Sequence, residues 1–261
     1  IWGLPNVRGS IEASHIRHNE RQFGYDNNSA VLSLSWRPSR PLNITISGEI
    51  ENNNLNLFGG EALAVLREDT ASDPRLSRLL RIPSGESTLV STRATTSIDL
   101  RDNPFTPTRG LFSTLTAEYA RTLRTEQLAS GDRFFSNFVK LSFSASGYVP
   151  LAEGVVLALQ FRIGRVFAVD PKSETYPNRQ YFLGGVDSMR GYLQDALIPQ
   201  EFGTALEHDL GGRASPSAIF RGGDAFVLAR AELRFPIFGP LGGGVFIDAG
   251  NVWADARDLE L

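Results

Sequence analysis

The feature that most constrains this chain is an alternation of apolar and polar residues with a period of two. It recurs in short runs along the chain, and helical periodicity is nearly absent. Successive side chains of a β-strand point to opposite faces, so each run predicts a strand with one apolar face. About nine strands are predicted: Ser10–Ile16, Ala30–Trp36, Ile44–Ile50, Val90–Leu100, Leu111–Tyr119, Val139–Ala145, Val155–Ile163, Ala225–Phe235 and Val245–Ala249.

The connections between these strands differ in length. Short turns are predicted at Arg37–Pro41, Asp102–Arg109, Pro150–Gly154 and Pro236–Gly242. Long loops are predicted at Arg17–Asn28, Asn52–Ser87, Thr122–Phe134 and Ala168–Gly222. Short turns at one end and long loops at the other are typical of an antiparallel transmembrane β-barrel of the outer-membrane type. A large soluble β-domain remains the alternative, because β-sandwich strands alternate in a similar way.

Composition excludes several other classes of protein. The net charge of −3 and pI of about 5.7 argue against a nucleic-acid-binding surface. The absence of cysteine excludes disulfides and thiolate metal sites, and we expect no metal or cofactor. The only histidines are His15, His18 and His208, and no G-x-S-x-G motif is present, so we expect no enzymatic activity.

One stretch of the longest loop stands out. Residues Gln180–Gln194 are rich in aromatic, apolar and glycine residues around a single cation, Arg190. Such a loop has enough apolar surface to pack against the rest of the domain. A buried charge without a partner is strongly unfavourable, so Arg190 is predicted to meet a carboxylate.

Three motifs carry a resemblance to a known family. They read R-D-N-P-F-T-P-T-R-G at 101–110, G-G-V-D-S-M-R-G-Y at 184–192, and E-L-R-F-P at 232–236 followed by G-G-G-V-F-I-D-A-G-N-V-W at 242–253. In this order and spacing they closely resemble the bacterial surface-antigen family of outer-membrane assembly proteins, with its BamA/TamA-like barrels. The resemblance extends from about residue 88 to 253.

The resemblance implies a barrel of about sixteen strands, preceded by periplasmic POTRA domains. In that register our nine strands are about the fifth to the thirteenth. We therefore expect residues 1–261 to form part of a C-terminal barrel domain, without POTRA domains or the last strands. The loop 168–222 would fold back into the lumen.

The resemblance also implies partners for the loop arginine. Arg190, Gly191 and Tyr192 would form the contact between loop and barrel, with Glu232 and Asp248 as the acidic residues. The strand pattern agrees, since Glu232 lies on the polar face of its strand and Asp248 lies on the face opposite to that of Val245, Ile247 and Ala249.

The first motif is predicted to be a tight, proline-rich turn on the periplasmic side. Its residues are Arg101, Asp102, Pro104, Pro107, Arg109 and Gly110. A contact with the POTRA domains is the alternative role for its charged residues.

The implied function is that of an insertase, which folds and inserts β-barrel proteins into the bacterial outer membrane. Its expected partners are nascent outer-membrane proteins, the lipid bilayer and periplasmic accessory lipoproteins, but not nucleic acid. The implied mechanism has no chemical step: the barrel edge templates incoming strands and hydrophobic mismatch thins the bilayer. The alternative is a polypeptide-secretion pore of the two-partner type, which has a similar arginine loop.

Overall fold

A computed structural model describes residues 6–19, 23–57, 85–125, 135–171, 173, 175–197, 199 and 222–254. In order, the strands are β1 (Val7–Asn19), β2 (Phe23–Trp36), β3 (Leu42–Leu57), β4 (Gly85–Asp99), β5 (Gly110–Thr125), β6 (Asn137–Ala152), β7 (Val155–Ala168), β8 (Ala225–Phe238) and β9 (Leu241–Trp253). They form one nine-stranded sheet in which each strand pairs antiparallel with the next along the chain. The predicted all-β, antiparallel architecture is confirmed. No helix in the described ranges is long and apolar enough to cross a membrane.

The register of the sheet separates the two faces cleanly. Across β7, β8 and β9, Leu159 lies opposite Ala231, which lies opposite Ile247. The adjacent row places Gln160 opposite Arg230, which lies opposite Asp248. Because a shift of one residue would exchange the faces, this pairing fixes a mainly apolar face and a mainly polar face over β7 to β9.

Three of the predicted loops are shorter in the structure than the sequence pattern predicts, because the strands on either side extend into them. β1 continues to Asn19 and β2 begins at Phe23, so most of the predicted loop Arg17–Asn28 is strand. Residues 52–57 and 85–87 of the predicted loop Asn52–Ser87 belong to β3 and β4, and the rest of that loop lies outside the described residues. The third, Thr122–Phe134, loses its first residues to β5. Strands of 13 to 16 residues exceed the roughly 9–11 that cross a bilayer. Their polar ends lose the apolar alternation but keep backbone pairing, which is why the pattern missed them.

Two prolines that interrupt strand pairing lie at irregularities of the ladder. Pro150 in β6 and Pro236 in β8 both lie where the register shifts next to a short turn. Proline cannot donate a ladder hydrogen bond and is tolerated at bulges. The predicted turns Pro150–Gly154 and Pro236–Gly242 are thus shorter in the structure, since β6, β7, β8 and β9 continue into them.

The segment between β7 and β8 packs on the polar face. Its described part contains a single 3₁₀ turn, Pro177–Arg179, and isolated bridges such as Tyr181 with Gly223 and Leu183 with Leu197. The buried residues Leu183, Met189, Phe226, Leu228 and Val252 form a cluster between the loop and strands β8 and β9. This packing positions Arg190 over the last two strands.

Candidate functional site

Arg190 meets both predicted acidic residues on the polar face. Its Nε donates to Asp248 Oδ2 at 2.9 Å and its Nη2 donates to Asp248 Oδ1 at 2.7 Å. Its Nη1 donates to Glu232 Oε2, and its backbone N–H donates to Asp248 Oδ2 at 3.0 Å. One guanidinium thus joins two neighbouring strands by charge-assisted hydrogen bonds, in the forked geometry for which arginine is suited.

The surroundings of this ion pair hold it in place. The Arg190 guanidinium carbon lies 3.6 Å from the centre of the Phe246 ring, which projects from β9 on the same face. Arg234 binds Glu232 from the other side at 2.7 Å. The hydrogen bond to Asp248 raises the pKa of Arg190 further above its ordinary value. Arg190 therefore stays charged, and its carboxylate partners are engaged as hydrogen-bond acceptors.

Two polar-face arginines bind the loop just before Arg190. Arg230 donates to the carbonyl oxygens of Val186 and Asp187 at 3.3 and 3.2 Å, and it lies 3.4 Å from Asp248 Oδ1. Arg162 also donates to the carbonyl oxygen of Asp187, at 3.4 Å. The sheet thus supplies cations that bind loop carbonyls as well as carboxylates that bind the loop arginine.

Gly191 and Tyr192 contribute through the backbone. Gly191 has φ +117° in the turn that follows Arg190, a conformation that favours glycine. Tyr192 donates its N–H to the carbonyl of Met189 and accepts from the N–H of Gly185, while its side chain is half exposed. These hydrogen bonds close the tip of the loop, which we define as residues 183–192, around Arg190.

The predicted turn at 101–110 is organised by Asp102. Its Oδ1 accepts the backbone N–H groups of Asn103, Thr108 and Arg109 at 2.9 to 3.2 Å, and its Oδ2 accepts the Thr108 hydroxyl at 2.6 Å. The hydrogen bond from Thr108, followed by that from Arg109, holds the pKa of Asp102 well below its usual range. Pro104 and Pro107 have no backbone N–H to donate in strand pairing. The hydrogen bonds to the Asp102 carboxylate hold the turn together in place of that pairing.

The other members of the turn have separate places. Arg101 makes a forked pair with Asp99 at 2.8 Å for both bonds, donates to the carbonyl of Pro104 and stacks on Phe112. Gly110 has φ +107°, and a Cβ there would lie 2.2 Å from the carbonyl oxygen of Leu100. Pro107 is buried, while Arg109 is exposed. The turn residues and the Arg190 site belong to different parts of the chain and are not brought together by these contacts.

Comparison with known families decides the assignment. The Omp85 superfamily domain matches residues 6–258. The chain belongs to the Omp85 superfamily.

Three proteins that are similar to this chain are longer than it. A SAM50-like protein of Schizosaccharomyces pombe is 28% identical over 220 residues, which are 82% of this chain and 41% of the yeast protein. The crystal structure of BamA from Haemophilus ducreyi lacking POTRA domains 1–3 has a TM-score of 0.67 at 16% identity, over 97% of this chain and 48% of that one. CdiB from Escherichia coli gives a TM-score of 0.45 at 17% identity, over 89% and 35% of the two chains. The chain spans less than half the length of each of these proteins.

Superfamily membership and the BamA-like fold together identify the sheet as part of an outer-membrane β-barrel. The polar face, which carries the Arg190 loop, is then the lumenal face, and the apolar face contacts lipid. The expected absence of POTRA domains and of the last strands stays a prediction.

Sequence reasoning missed a second loop arginine in this Omp85 chain. Arg179 lies just before the stretch Gln180–Gln194, and its guanidinium binds Glu51 at 2.7 Å and Glu118 at 2.8 Å. A signal existed: β3 and β5 carry glutamates on their polar faces, at Glu49, Glu51 and Glu118, and such acids need cationic partners. Strand alternation alone does not say that the loop supplies one.

Proposed function

We propose that this chain is the barrel part of an assembly factor that folds and inserts β-barrel proteins into the bacterial outer membrane. Its substrates would be unfolded outer-membrane proteins, and its other partners the lipid bilayer and periplasmic accessory lipoproteins. The observation that carries the proposal is the arginine loop fixed on the lumenal face of an Omp85 sheet by Arg190, Glu232 and Asp248.

The chemistry of the site favours a mechanical role over catalysis. Arg190 and Arg234 occupy Glu232, while Arg190 and Arg230 occupy Asp248. A general acid or base needs a pKa near the working pH and access to a substrate proton. Carboxylates locked in ion pairs with arginine are poorly suited to that task, so we propose that the protein is not an enzyme.

The function then follows from the sheet. Exposed strand edges can pair with an incoming strand through backbone hydrogen bonds, which is the recognition mode of β-augmentation. A loop fixed to strands β8 and β9 would keep that wall rigid while pairing takes place elsewhere. Local thinning of the bilayer by hydrophobic mismatch would lower the barrier to insertion of the substrate.

Reconstitution tests this proposal. The full-length protein is placed in liposomes with a urea-unfolded outer-membrane β-barrel protein, and the folding of that substrate is followed by heat-modifiable gel migration. We expect faster folding than in empty liposomes, a loss of that acceleration in Arg190→Ala, and no loss in the control Arg40→Ala, which changes an exposed turn residue. Folding at the rate of empty liposomes, or passage of a secreted polypeptide without acceleration of barrel folding, would contradict the proposal.

A further inference from the structure

The stem of the loop, which we define as residues 176–180, has an ion-pair site of its own, centred on Arg179. Arg179 is 8% exposed, and its guanidinium lies among Glu51, Glu118 and Glu49 at 2.7, 2.8 and 3.4 Å. Glu51 and Glu118 are themselves only 4% and 5% exposed. Charges so far from solvent persist only when they are paired and hydrogen-bonded.

The remaining groups around Arg179 complete the site. Arg93 binds Glu118 at 3.1 Å, and Lys140 donates to the carbonyl oxygen of Arg179 at 2.7 Å. Asn27 and Asn53 donate to the two oxygens of Glu51 at 3.2 and 3.0 Å. Three cations thus face three glutamates, and Arg179 is the member that comes from the loop. Burial by itself lowers the pKa of Arg179, but its pairing with Glu51 and Glu118 outweighs this and raises the pKa overall.

Apolar packing divides the loop in the same way. Tyr176 packs with the buried residues Leu89, Ala120, Phe138 and Val166, which belong to strands β4 to β7. The loop tip packs instead against β8 and β9. Tyr181 contacts both clusters, and its ring lies 4.2 Å from the Lys140 ammonium. The stem and the tip therefore rest on different parts of the barrel wall.

We propose that Arg179 is a positioning residue that anchors the loop stem to strands β3 and β5, independently of the Arg190 anchor on β8 and β9. The loop then acts as a strut that joins these two parts of the wall from inside. Gly184 and Gly185, with φ +125° and +85°, lie between the anchors and form a sharp bend. The placement of the strut stands on the contacts alone, whereas its use during assembly rests on the proposed function.

Single cysteines can test the two anchors separately, because the chain contains no cysteine of its own. Gln180→Cys reports on the stem and Met189→Cys reports on the tip, and both positions are 8% exposed. The rate of maleimide labelling is measured for each reporter in the full-length protein in liposomes. The backgrounds are wild type, Arg179→Ala, Arg179→Lys, Arg190→Ala and the exposed control Arg40→Ala.

We expect Arg179→Ala to speed labelling at position 180 by at least about tenfold, because the buried carboxylates lose their loop partner. Labelling at position 189 should change by less than about twofold, and Arg190→Ala should give the opposite pattern. Arg179→Lys should lie between wild type and alanine, because lysine keeps the charge but lacks the fork that serves two carboxylates. If Arg179→Ala fails to insert into liposomes, the comparison of Arg179→Lys with wild type provides the test.

Unchanged labelling at position 180 in both Arg179 variants would overturn the proposal, since packing alone would then hold the stem. Equal acceleration at both positions in either variant would also overturn it, because the loop would then open as one unit. The measurement needs no substrate. If labelling follows the expected pattern but the protein does not fold substrate barrels, the proposed function is contradicted. The proposal that Arg179 anchors the loop stem would still stand.

Discussion

At the scale of single residues, the two acids that bind Arg190 are not equivalent. The side chain of Asp248 is 4% exposed and accepts three hydrogen bonds from Arg190, one of them from the backbone. Glu232 is more exposed, accepts one such bond and has Arg234 as a second cation. Asp248 therefore holds both the side chain and the backbone of the loop, whereas Glu232 holds only the side chain.

This difference predicts the order of the mutational effects. Asp248→Ala is expected to lower the free energy of unfolding by about 2–4 kcal/mol, because it leaves a partly buried arginine with one acceptor fewer. Glu232→Ala is expected to lower it by about 1 kcal/mol, because Asp248 remains. Chemical denaturation in detergent, followed by tryptophan fluorescence, measures both. A larger effect of Glu232→Ala would contradict the assigned roles.

Asp102 gives a prediction about pH. Its pKa is held below the ordinary value in the folded turn, so its contribution to stability is present above the unfolded pKa of about 4. That contribution is lost as the pH falls toward the lower folded value. We expect the difference in Tm between wild type and Asp102→Asn to be largest near neutral pH and to shrink below about pH 4. A difference that does not change over this range would mean that the charge is unimportant to the turn.

At the scale of elements, the strand register predicts which substitutions lipid will reject. Ile46 lies on the apolar face in the middle of the run Leu42–Ile50, and Thr45 lies next to it on the lumenal face. Ile46→Arg should cost about 2–4 kcal/mol, as expected for a cation at the bilayer midplane. Thr45→Arg should cost less than about 1 kcal/mol, mainly from loss of its hydrogen bond to Ser35. Equal costs in liposome denaturation would contradict the assignment of the faces.

The contact between the loop and β7 depends on a glycine. A Cβ on Gly164 would lie 2.5 Å from the Tyr181 ring and 2.6 Å from the Phe226 ring, so both rings would have to move. Gly164→Ala is expected to lower stability by about 1–3 kcal/mol, the usual range for overpacking. Gly147→Ala in β6 is the control, because a Cβ there has nothing within 4 Å. Equal Tm values for the two variants would mean that Tyr181 can move without loss.

Most of the elements could be predicted from the sequence, because half-buried strands impose a period of two. The ends of β2, β3 and β5 could not, since pairing continues there through polar residues such as Asn52 and Asn54 without an apolar face. Arg190 and its acids were predictable because motifs and strand faces pointed to the same residues. Arg179 was missed because its partners lie on β3 and β5, up to 130 residues away in sequence, and no local pattern connects them.

At the scale of the whole molecule, the described sheet is one continuous wall whose lumenal face is crossed by the loop between β7 and β8. The loop contacts strands from β3 to β9, so it ties separate parts of the wall together. This arrangement suits a barrel that must stay rigid on one side during insertion of a substrate. The proposed insertase function depends on that rigidity more than on any single chemical group.

The most direct test of this mechanism is a double-mutant cycle between Arg190 and Asp248. The free energies of unfolding of wild type, Arg190→Ala, Asp248→Ala and the double variant give the coupling between the two residues. A coupling of about 1.5–3 kcal/mol is predicted, because the pair makes several charge-assisted hydrogen bonds away from bulk water. A coupling near zero would show that the loop is not held to the barrel wall by this pair.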